Sequence, residues 1–198
     1  MSKAELPEGF LLRKCSAADI GPDFLKGYCR YQEVDRVWRK RGERYELVSE
    51  PFVDDWDAPT TARVVGICRE CAASGGLVAA VFDGPAVVAF AVLARQPFGS
   101  RKQYADLLEM QVSHPYRRKG LGKLLFRLCA EQARAWGAEK LYISAHSAEQ
   151  PQAFYRAMGC TLAEEVNFAH AEQEPCDIQM ECLLERFFAQ QNGKTNRN

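Results

Sequence analysis

The sequence predicts a mixed α/β domain in which helices flank one central sheet of about six to seven strands. Three observations support this prediction. Apolar, β-rich runs of strand length recur, as at 77–82 and 86–94; the turn residues Asp83-Gly84-Pro85 join those two runs; and segment 120–136 repeats its apolar residues at helical spacing. With 198 residues, the chain has the length of one domain with a substantial core.

Upstream of these runs, the sequence predicts a strand, a hairpin and a helix in that order. Residues 10–15 are expected to form the first strand, and Ser16 follows as a helix cap. The runs 34–39 and 44–48 flank a turn, which indicates a β-hairpin within a 28–56 insertion. A helix follows near Pro59, with Asp57 or Thr60 as its cap and Gly75-Gly76 at its end.

Downstream, strands and helices alternate up to a polar end. The predicted elements are a strand at 104–113, a helix at 120–136, a strand at 140–144, a helix at 151–158, and strands at 160–166 and 177–184. We therefore predict a single domain over residues 1–189. A polar, frayed tail is expected at 190–198.

Charge and hydropathy exclude several classes of partner. The 26 basic and 26 acidic residues cancel. The net charge therefore gives no indication of binding to nucleic acid or to a membrane surface. No apolar run approaches the roughly 20 residues of a membrane span. Residues 1–9 are polar and lack the apolar core of a signal peptide. A cytoplasmic location is the resulting expectation.

The eight cysteines are scattered along the chain, and most lie in apolar stretches. Cys68 and Cys71 form the only close pair, but they lie within a predicted helix and have no second pair or histidine cluster nearby. We therefore expect reduced structural thiols and no metal site.

A basic, glycine-containing loop at 112–123 connects a predicted strand to an amphipathic helix. Gly120 and Gly122 allow a ligand to approach the backbone, while the free N–H groups of the first helical turn favour an anion. Basic side chains on the same loop add charge-assisted contacts. The expected ligand group is a phosphate or pyrophosphate, although the spacing matches neither the Rossmann nor the P-loop pattern.

The run 117–122, Arg-Arg-Lys-Gly-Leu-Gly, resembles the (Arg/Gln)-x-x-Gly-x-(Gly/Ala) signature of the GNAT superfamily of N-acetyltransferases. Segment 153–160, Ala-Phe-Tyr-Arg-Ala-Met-Gly-Cys, is similar to the family's (Phe/Leu)-Tyr-x-x-x-Gly-Phe segment, with Cys160 in place of the closing phenylalanine. One helix and one strand separate the two motifs, as in the family fold. The resemblance covers residues 77–184 and implies the GNAT fold with acetyl-CoA as co-substrate.

The resemblance implies roles for individual residues. The strand around residue 110 is expected to splay from its neighbour and pair with the pantetheine arm, while the loop holds the pyrophosphate. The implied cofactor-binding residues are Met110, Gln111, Val112, Arg117, Arg118, Lys119, Gly120, Leu121, Gly122 and Lys123. Tyr155 is the implied general acid, which protonates the departing CoA thiolate. A tyrosine packed in the core is the alternative.

An amine must lose its proton before it attacks a thioester, so a general base is expected. Glu109, on the strand beside the thioester, is our candidate, with Asp106 and His146 in reserve; a surface glutamate is the alternative interpretation for Glu109. Some family members carry an asparagine between the two motifs, whereas this stretch has His146 followed by Ser-Ala-Glu at 147–149.

Two segments bear on the acceptor. The 28–56 stretch is rich in aromatic residues and, with Asp54, Asp55 and Asp57, is consistent either with a lid that favours a cationic amine or with an edge hairpin. The acidic 164–177 loop is expected to add negative potential near the same end of the sheet.

The function expected from these features is acetyl transfer to a small-molecule primary amine, such as a polyamine, amino sugar or amino acid, by direct attack in a ternary complex. No cysteine has a histidine neighbour that would activate it for a covalent route. The alternatives are a protein N-terminal or lysine acetyltransferase and a non-catalytic acyl-CoA sensor. The family resemblance also makes a homodimer a possible assembly.

Overall fold

The computed structural model describes residue 6 and residues 8–195, and for residues 192–195 it describes the backbone alone. The start of the chain, where the sequence predicts no signal-peptide core, therefore lies largely outside the described residues. No helix in the described part of the chain is long and apolar enough to cross a membrane.

The chain folds into nine strands and five α-helices within the described residues. The strands are β1 Phe10–Lys14, β2 Gln32–Arg41, β3 Arg44–Asp54, β4 Leu77–Asp83, β5 Ala86–Leu93, β6 Tyr104–Val112, β7 Lys140–Ala145, β8 Thr161–Leu162 and β9 Ile178–Leu183. The α-helices are α1 Ala58–Ala73, α2 Leu121–Ala135, α3 Glu149–Ala157, α4 Phe168–Gln173 and α5 Leu184–Thr195.

Seven strands form one sheet in the order β1-β4-β5-β6-β7-β9-β8, which confirms the predicted mixed sheet. Helix α2 covers one face of this sheet and α1 the other. Alternation along β4 explains the two layers: Leu77, Ala79 and Val81 pack in the core with α2, whereas Val78 and Ala80 pack in the core with α1. Because both faces are covered, β4 is a continuous apolar run.

The pairing between β6 and β7 is the feature that creates the site. The two strands are parallel and pair only from Tyr104–Lys140 to Asp106–Tyr142, while every other neighbouring pair in the sheet is antiparallel. The register of β6 against β5 also shifts between Leu107 and Glu109. Beyond the shift, β6 remains paired with β5 but has left β7, so its backbone borders an open gap.

Strands β2 and β3 form the predicted hairpin as a separate two-stranded sheet, longer than the sequence pattern indicates. The hairpin is fixed to the connection between β7 and α3. Trp38 N donates to Ser147 O at 2.8 Å, and the Arg39 guanidinium donates to Ser147 Oγ at 2.8 Å. Val37 packs against Ala148 in the same region. The hairpin therefore covers the end of the sheet where β6 and β7 separate.

Two predicted boundaries are wrong. The strand expected at 160–166 is only β8, because the chain leaves β9 after Ala163, and Asn167 then caps the short helix α4 by accepting from Ala169 N at 3.1 Å. The frayed tail expected from residue 190 is helical up to Thr195, because buried Leu184 and Phe187 anchor α5 to the core. Residues 196–198 lie outside the described part.

Candidate active site

The loop before α2 holds a helix N-terminus open towards a groove. Gly120 precedes the helix with φ +85°, a left-handed conformation that side chains with a Cβ rarely adopt. No side chain caps the helix start, so the N–H groups of its first turn lack an intrahelical partner. Gly122 faces α3, where an added Cβ would lie 3.3 Å from the Phe154 ring. Both glycines thus have structural reasons to be present.

The basic side chains of the loop point in different directions. Arg117 donates from Nε to Val112 O at 3.1 Å and from Nη2 to Arg30 O at 2.8 Å. Lys119 places its ammonium 5.0 Å from the centre of the Tyr116 ring, and among residues 117–123 only Lys119 does not line the groove. Arg118 and Lys123 are the basic residues of the loop without such a contact among the described residues.

We call the space in front of this loop the loop groove. Its volume is about 1230 Å³. It runs from the start of α2 past the open side of β6 to α3 and the start of β2. The residues along β6 that line it are Met110, Gln111 and Val112, the three predicted to face the pantetheine arm.

A second space, the central cavity, continues from the loop groove through the gap between β6 and β7. It has a volume of about 1000 Å³. Its wall combines residues of the β2–β3 region, α1, β6, the β7–α3 connection and the segment 170–177. Met110, Gln111, Pro151 and Tyr155 line both spaces, so the two meet beside α3.

Tyr155 lies at this junction with 8% of its surface exposed. Its ring packs against Phe126 and Phe154, in agreement with the core interpretation, but its side chain also lines both spaces. The hydroxyl has no hydrogen-bond partner among the described residues. Burial, reinforced by nearby Cys160 and Glu109, raises the pKa of Tyr155, so the hydroxyl keeps its proton at neutral pH.

Glu109 lines the central cavity from β6, just after the register shift. Gln111 Nε2 donates to its Oε2 at 3.2 Å, and among the described residues it forms no ion pair. Burial raises the pKa of Glu109, while Gln111, Arg63 and Arg30 oppose that rise. A carboxylate with a raised pKa is a stronger base, which suits it to accept a proton from an ammonium group.

The two reserve bases are already engaged. Asp106 Oδ2 lies 2.7 Å from His170 Nε2, and its Oδ1 is buried without a partner among the described residues. His146 accepts a hydrogen bond from Ala148 N on Nδ1 at 3.1 Å, while its Nε2 lies 3.8 Å from Asp54 Oδ2. The lone pair of a neutral His146 is therefore occupied, which leaves Glu109 as the base with the fewest competing contacts.

The hairpin region contributes both a wall and a charge pair. Asp54, Asp55 and Trp56 line the central cavity, whereas Asp57 caps α1 by accepting from Thr60 N at 2.8 Å. Asp54 is paired with Arg30 at 2.6 Å. The segment thus forms an edge hairpin with part of its end in the cavity wall, and its role as a lid for a cationic amine stays a prediction.

Sequence reasoning missed Arg30 and Gln32, which are buried beside the site. Arg30 Nη1 donates to Gln32 Oε1 at 3.1 Å, and Gln32 Nε2 donates to Gln150 Oε1 at 3.0 Å. Gln32 lines both spaces. No local pattern marks these two residues, because their other partners, Asp54 and Gln150, are distant in sequence.

The acidic 164–177 loop faces the central cavity only in part. Glu174 and Asp177 line the cavity, together with His170. Glu164 instead pairs with Lys140 at 2.6 Å, and Glu165 accepts from Ser100 Oγ at 2.7 Å. The predicted negative potential therefore comes from the end of the loop nearest β9.

The cysteines behave as structural residues. Burial raises the pKa of Cys68 to about 12 and that of Cys71 to about 11, so both thiols remain protonated. Within the described part of the chain, no group of three or more histidine, cysteine, aspartate or glutamate residues is arranged to hold a metal ion.

The sheet splays beside a glycine-containing helix start, and a tyrosine lies at the gap. The family model described as "Acetyltransferase (GNAT) family" matches residues 41–160, more than half of the chain. The protein therefore belongs to the GNAT acetyltransferase family. No curated protein matches the sequence significantly.

Solved structures show the same fold at low sequence identity. Nourseothricin acetyltransferase is 17% identical, with a TM-score of 0.67 over 89% of this chain and 99% of its own. A putative streptothricin acetyltransferase from Bacillus anthracis str. Ames, in complex with acetyl coenzyme A, is 13% identical, with a TM-score of 0.64 over 87% of this chain and 95% of its own. PaiA N-acetyltransferase from Thermoplasma acidophilum, in complex with coenzyme A, is 14% identical, with a TM-score of 0.53 over 88% of this chain and 98% of its own.

Proposed function

We propose that the protein transfers the acetyl group of acetyl-CoA to a primary amine of a small molecule, by direct attack in a ternary complex. The position of Tyr155 carries this proposal: a buried tyrosine with an unpartnered hydroxyl among the described residues lies where the loop groove meets the central cavity. One space has the features of a nucleotide-phosphate site, and the other is lined by ionisable groups. A group that moves a proton between two reactants belongs at such a junction.

The loop groove fits acetyl-CoA. The left-handed Gly120 and the uncapped start of α2 offer backbone N–H groups to a pyrophosphate, and Arg118 and Lys123 add positive charge. Farther along, the side of β6 that has left β7 offers the backbone of Met110, Gln111 and Val112 to an amide-containing arm. When bound, acetyl-CoA supplies an acetyl group attached to a thioester sulfur.

Two side chains handle the protons. Glu109 as a carboxylate takes a proton from the ammonium nitrogen of the acceptor, which frees the lone pair for attack on the acetyl carbon. Tyr155 donates its hydroxyl proton to the sulfur as the bond from sulfur to the acetyl carbon breaks. Burial makes the glutamate more basic, which favours its role, and it keeps the tyrosine protonated, so that the proton is present for transfer to the sulfur.

The enclosing hairpin favours a small acceptor over a protein chain. Trp38 and Arg39 fix the hairpin to Ser147, and Asp54 to Trp56 follow directly as part of the cavity wall. A polypeptide acceptor needs an open channel through that wall. Two of the structural neighbours are named for nourseothricin and streptothricin acetyltransferases, which agrees with a small-molecule acceptor.

The test is release of free CoA thiol from acetyl-CoA in the presence of a panel of primary amines. Wild type, Tyr155→Phe and Tyr45→Phe are compared; Tyr45 lies on β3 and lines neither space. We expect amine-dependent turnover that falls about 100-fold or more in Tyr155→Phe and stays unchanged in Tyr45→Phe. Mass spectrometry of the product identifies the acetylated nitrogen.

Two outcomes contradict the proposal. A protein that binds CoA but transfers acetyl to no amine in the panel is a sensor module. If the Tyr155→Phe variant keeps full activity, the Tyr155 hydroxyl is not the general acid of the reaction.

A further inference from the structure

The ionisable groups of the central cavity are not balanced in charge. Six carboxylic acids line it, against three arginines. The acids belong to elements far apart in sequence and come together only in the folded chain. They are Asp54, Asp55, Glu70, Glu109, Glu174 and Asp177.

Two of the three arginines of the cavity already contact other side chains of the protein. The Arg30 guanidinium pairs with Asp54 at 2.6 Å, and the Arg95 guanidinium lies 4.9 Å from the centre of the Trp136 ring. His170 pairs with Asp106. Arg63 is exposed, and its charge acts on Glu109, whose pKa it lowers. His170 also acts electrostatically on Asp177, but within the described residues no cationic side chain forms an ion pair with Glu174 or Asp177.

That far end is formed by Glu174 and Asp177, just before β9. Among the described residues neither carboxylate forms an ion pair, and Asp177 accepts only from Ser144 Oγ, at 3.3 Å. Burial and the like charge of Glu174 raise the pKa of Asp177 to about 6. Glu174 is exposed and Asp177 is half-buried, so a cation from outside the chain can approach both carboxylates, which repel each other.

An independent observation places a ligand in the same cavity. The Tyr155 hydroxyl lines it, belongs to a side chain more than nine-tenths buried, and has no partner among the described residues. Glu109 and Asp177 both act electrostatically on this tyrosine. The reacting end and the far end of the cavity are therefore within reach of one small molecule.

From this arrangement we infer that the acceptor is an amine with a second cationic group, which binds Glu174 and Asp177 while the reacting nitrogen meets Glu109 and Tyr155. This inference rests on the proposed function and narrows it. An amino acid is disfavoured, because its carboxylate would enter a cavity rich in carboxylates. A monoamine would leave Glu174 and Asp177 without a counter-charge.

The experiment compares unbranched diamines of increasing length, each with the amino alcohol of the same length and the corresponding amino acid. The wild-type protein is expected to use the best diamine with a kcat/KM at least about tenfold above that of its amino alcohol, and to use the amino acid least. Calorimetry on protein saturated with free CoA measures the same preference as binding, without turnover.

The double variant Glu174→Gln/Asp177→Asn removes the far charges without changing shape. It is expected to bring the diamine to the level of the amino alcohol in both kcat/KM and affinity, with the amino alcohol changed less than about twofold. The matched control is Glu172→Gln, which removes an exposed charge from the neighbouring helix α4 and does not line the cavity. It is expected to keep the wild-type preference.

Equal use of diamine and amino alcohol by the wild type overturns the inference and leaves the proposed function intact. An equal loss for both substrates in the double variant also overturns it, since the two acids would then be structural. If no amine of any class is acetylated, the proposed function itself fails and the inference with it.

Discussion

The loop groove takes one wall from a single short segment, residues 117–123 without Lys119, whereas the central cavity is walled by residues that range from Arg30 to Asp177. The first wall depends on backbone: a left-handed glycine, an uncapped helix start and the freed side of β6. The second depends on side-chain charge. A backbone site can serve one unchanging ligand in many proteins, while a side-chain site can change with the acceptor.

The difference also separates the kinds of variant that would damage each space. Changes to backbone conformation should weaken the binding of CoA in the loop groove. Changes to charge should alter acetyl transfer to the acceptor in the central cavity. Tyr155 lines both spaces, as do Gln32, Met110, Gln111 and Pro151. Arg30 also connects them, because its carbonyl accepts from Arg117 of the loop while its guanidinium pairs with Asp54 of the cavity. Variants of both spaces, in order of decreasing expected effect, test whether the two can be damaged separately.

Glu109→Gln should produce the largest effect. Loss of a general base typically lowers the rate about 100- to 10,000-fold, and the amide cannot take the proton of the ammonium group. The affinity for CoA should stay within about twofold, because Glu109 lines the central cavity and not the loop groove. Steady-state kinetics and CoA calorimetry measure the two quantities, with Glu46→Gln on exposed β3 as the control.

The pH profile provides a second check on Glu109. Since burial raises the pKa of this carboxyl, the wild-type kcat/KM should fall on acidification while an ordinary glutamate would still be ionised. That limb should be absent from the residual activity of Glu109→Gln. An unchanged profile would assign the base to another group.

Arg30→Met should destabilise the fold by about 3–5 kcal/mol, because it leaves the carboxylate of Asp54 partly buried without a partner. The side chains of Arg30 and Asp54 are only 8% and 20% exposed. The matched control is Arg36→Met, which breaks the pair with Glu149, 53% and 40% exposed, and should cost less than about 1 kcal/mol. Urea unfolding measures both.

The double variant Arg30→Met/Asp54→Asn sharpens that result. It removes both charges, so it should recover part of the lost stability. If it is no more stable than Arg30→Met alone, the role of Arg30 lies in its contacts with Gln32 and not in charge compensation.

The loop groove can be predicted from the sequence better than the central cavity, because most of its residues are close together in the chain. Strand β6, the basic loop, α2 and α3 are contiguous patterns of apolar spacing, glycine and turn residues, so an anion site at residues 117–123 can be predicted from the sequence, whereas the role of Tyr155 is implied by the family resemblance. The fold follows from the same local signals. Errors fall on β8 and the start of the tail, where pairing of a few residues or one buried phenylalanine decides the boundary.

The cavity is predictable only in outline. Asp54 and the acidic loop are recognisable as negative, but the partner of each carboxylate is not visible in the sequence. The sequence does not indicate that Arg30 neutralises Asp54 or that Asp177 forms no ion pair among the described residues, and it leaves the cap of α1 open between Asp57 and Thr60. Such pairings mostly link residues tens of positions apart and exist only after the strands are in register.

Gly120→Val tests the groove as a backbone site. A β-branched residue at φ +85° is strained by about 1–2 kcal/mol, and relief of that strain would turn the first N–H groups of α2 away from the ligand. We expect the Kd for CoA to rise about 10- to 100-fold. Gly137→Val is the matched control, since Gly137 follows the other end of α2 with φ +86° and equally open space around its Cβ position.

Isothermal calorimetry gives the Kd, and thermal unfolding shows whether the two variants share the same strain. Equal loss of CoA affinity in both variants would mean that α2 as a whole, and not its N-terminus, supports the groove.

Asp177→Asn should have the smallest effect, and it should be stabilising. The folded protein holds this proton up to a pKa of about 6, above the ordinary value of 3.8, because burial and the charges of Glu174 and Asp54 outweigh Ser144 and His170. An unfolded chain releases the proton first, so the native state is penalised as pH rises through this window, and the penalty is complete above the folded pKa. The variant should gain about 1–2 kcal/mol near pH 8 and nothing near pH 4, measured by urea unfolding against wild type. If the gain in stability does not depend on pH, packing is its cause. If the gain depends on pH, the charge of Asp177 destabilises the folded protein. Such a destabilising charge is expected of a group that is kept for a cationic ligand.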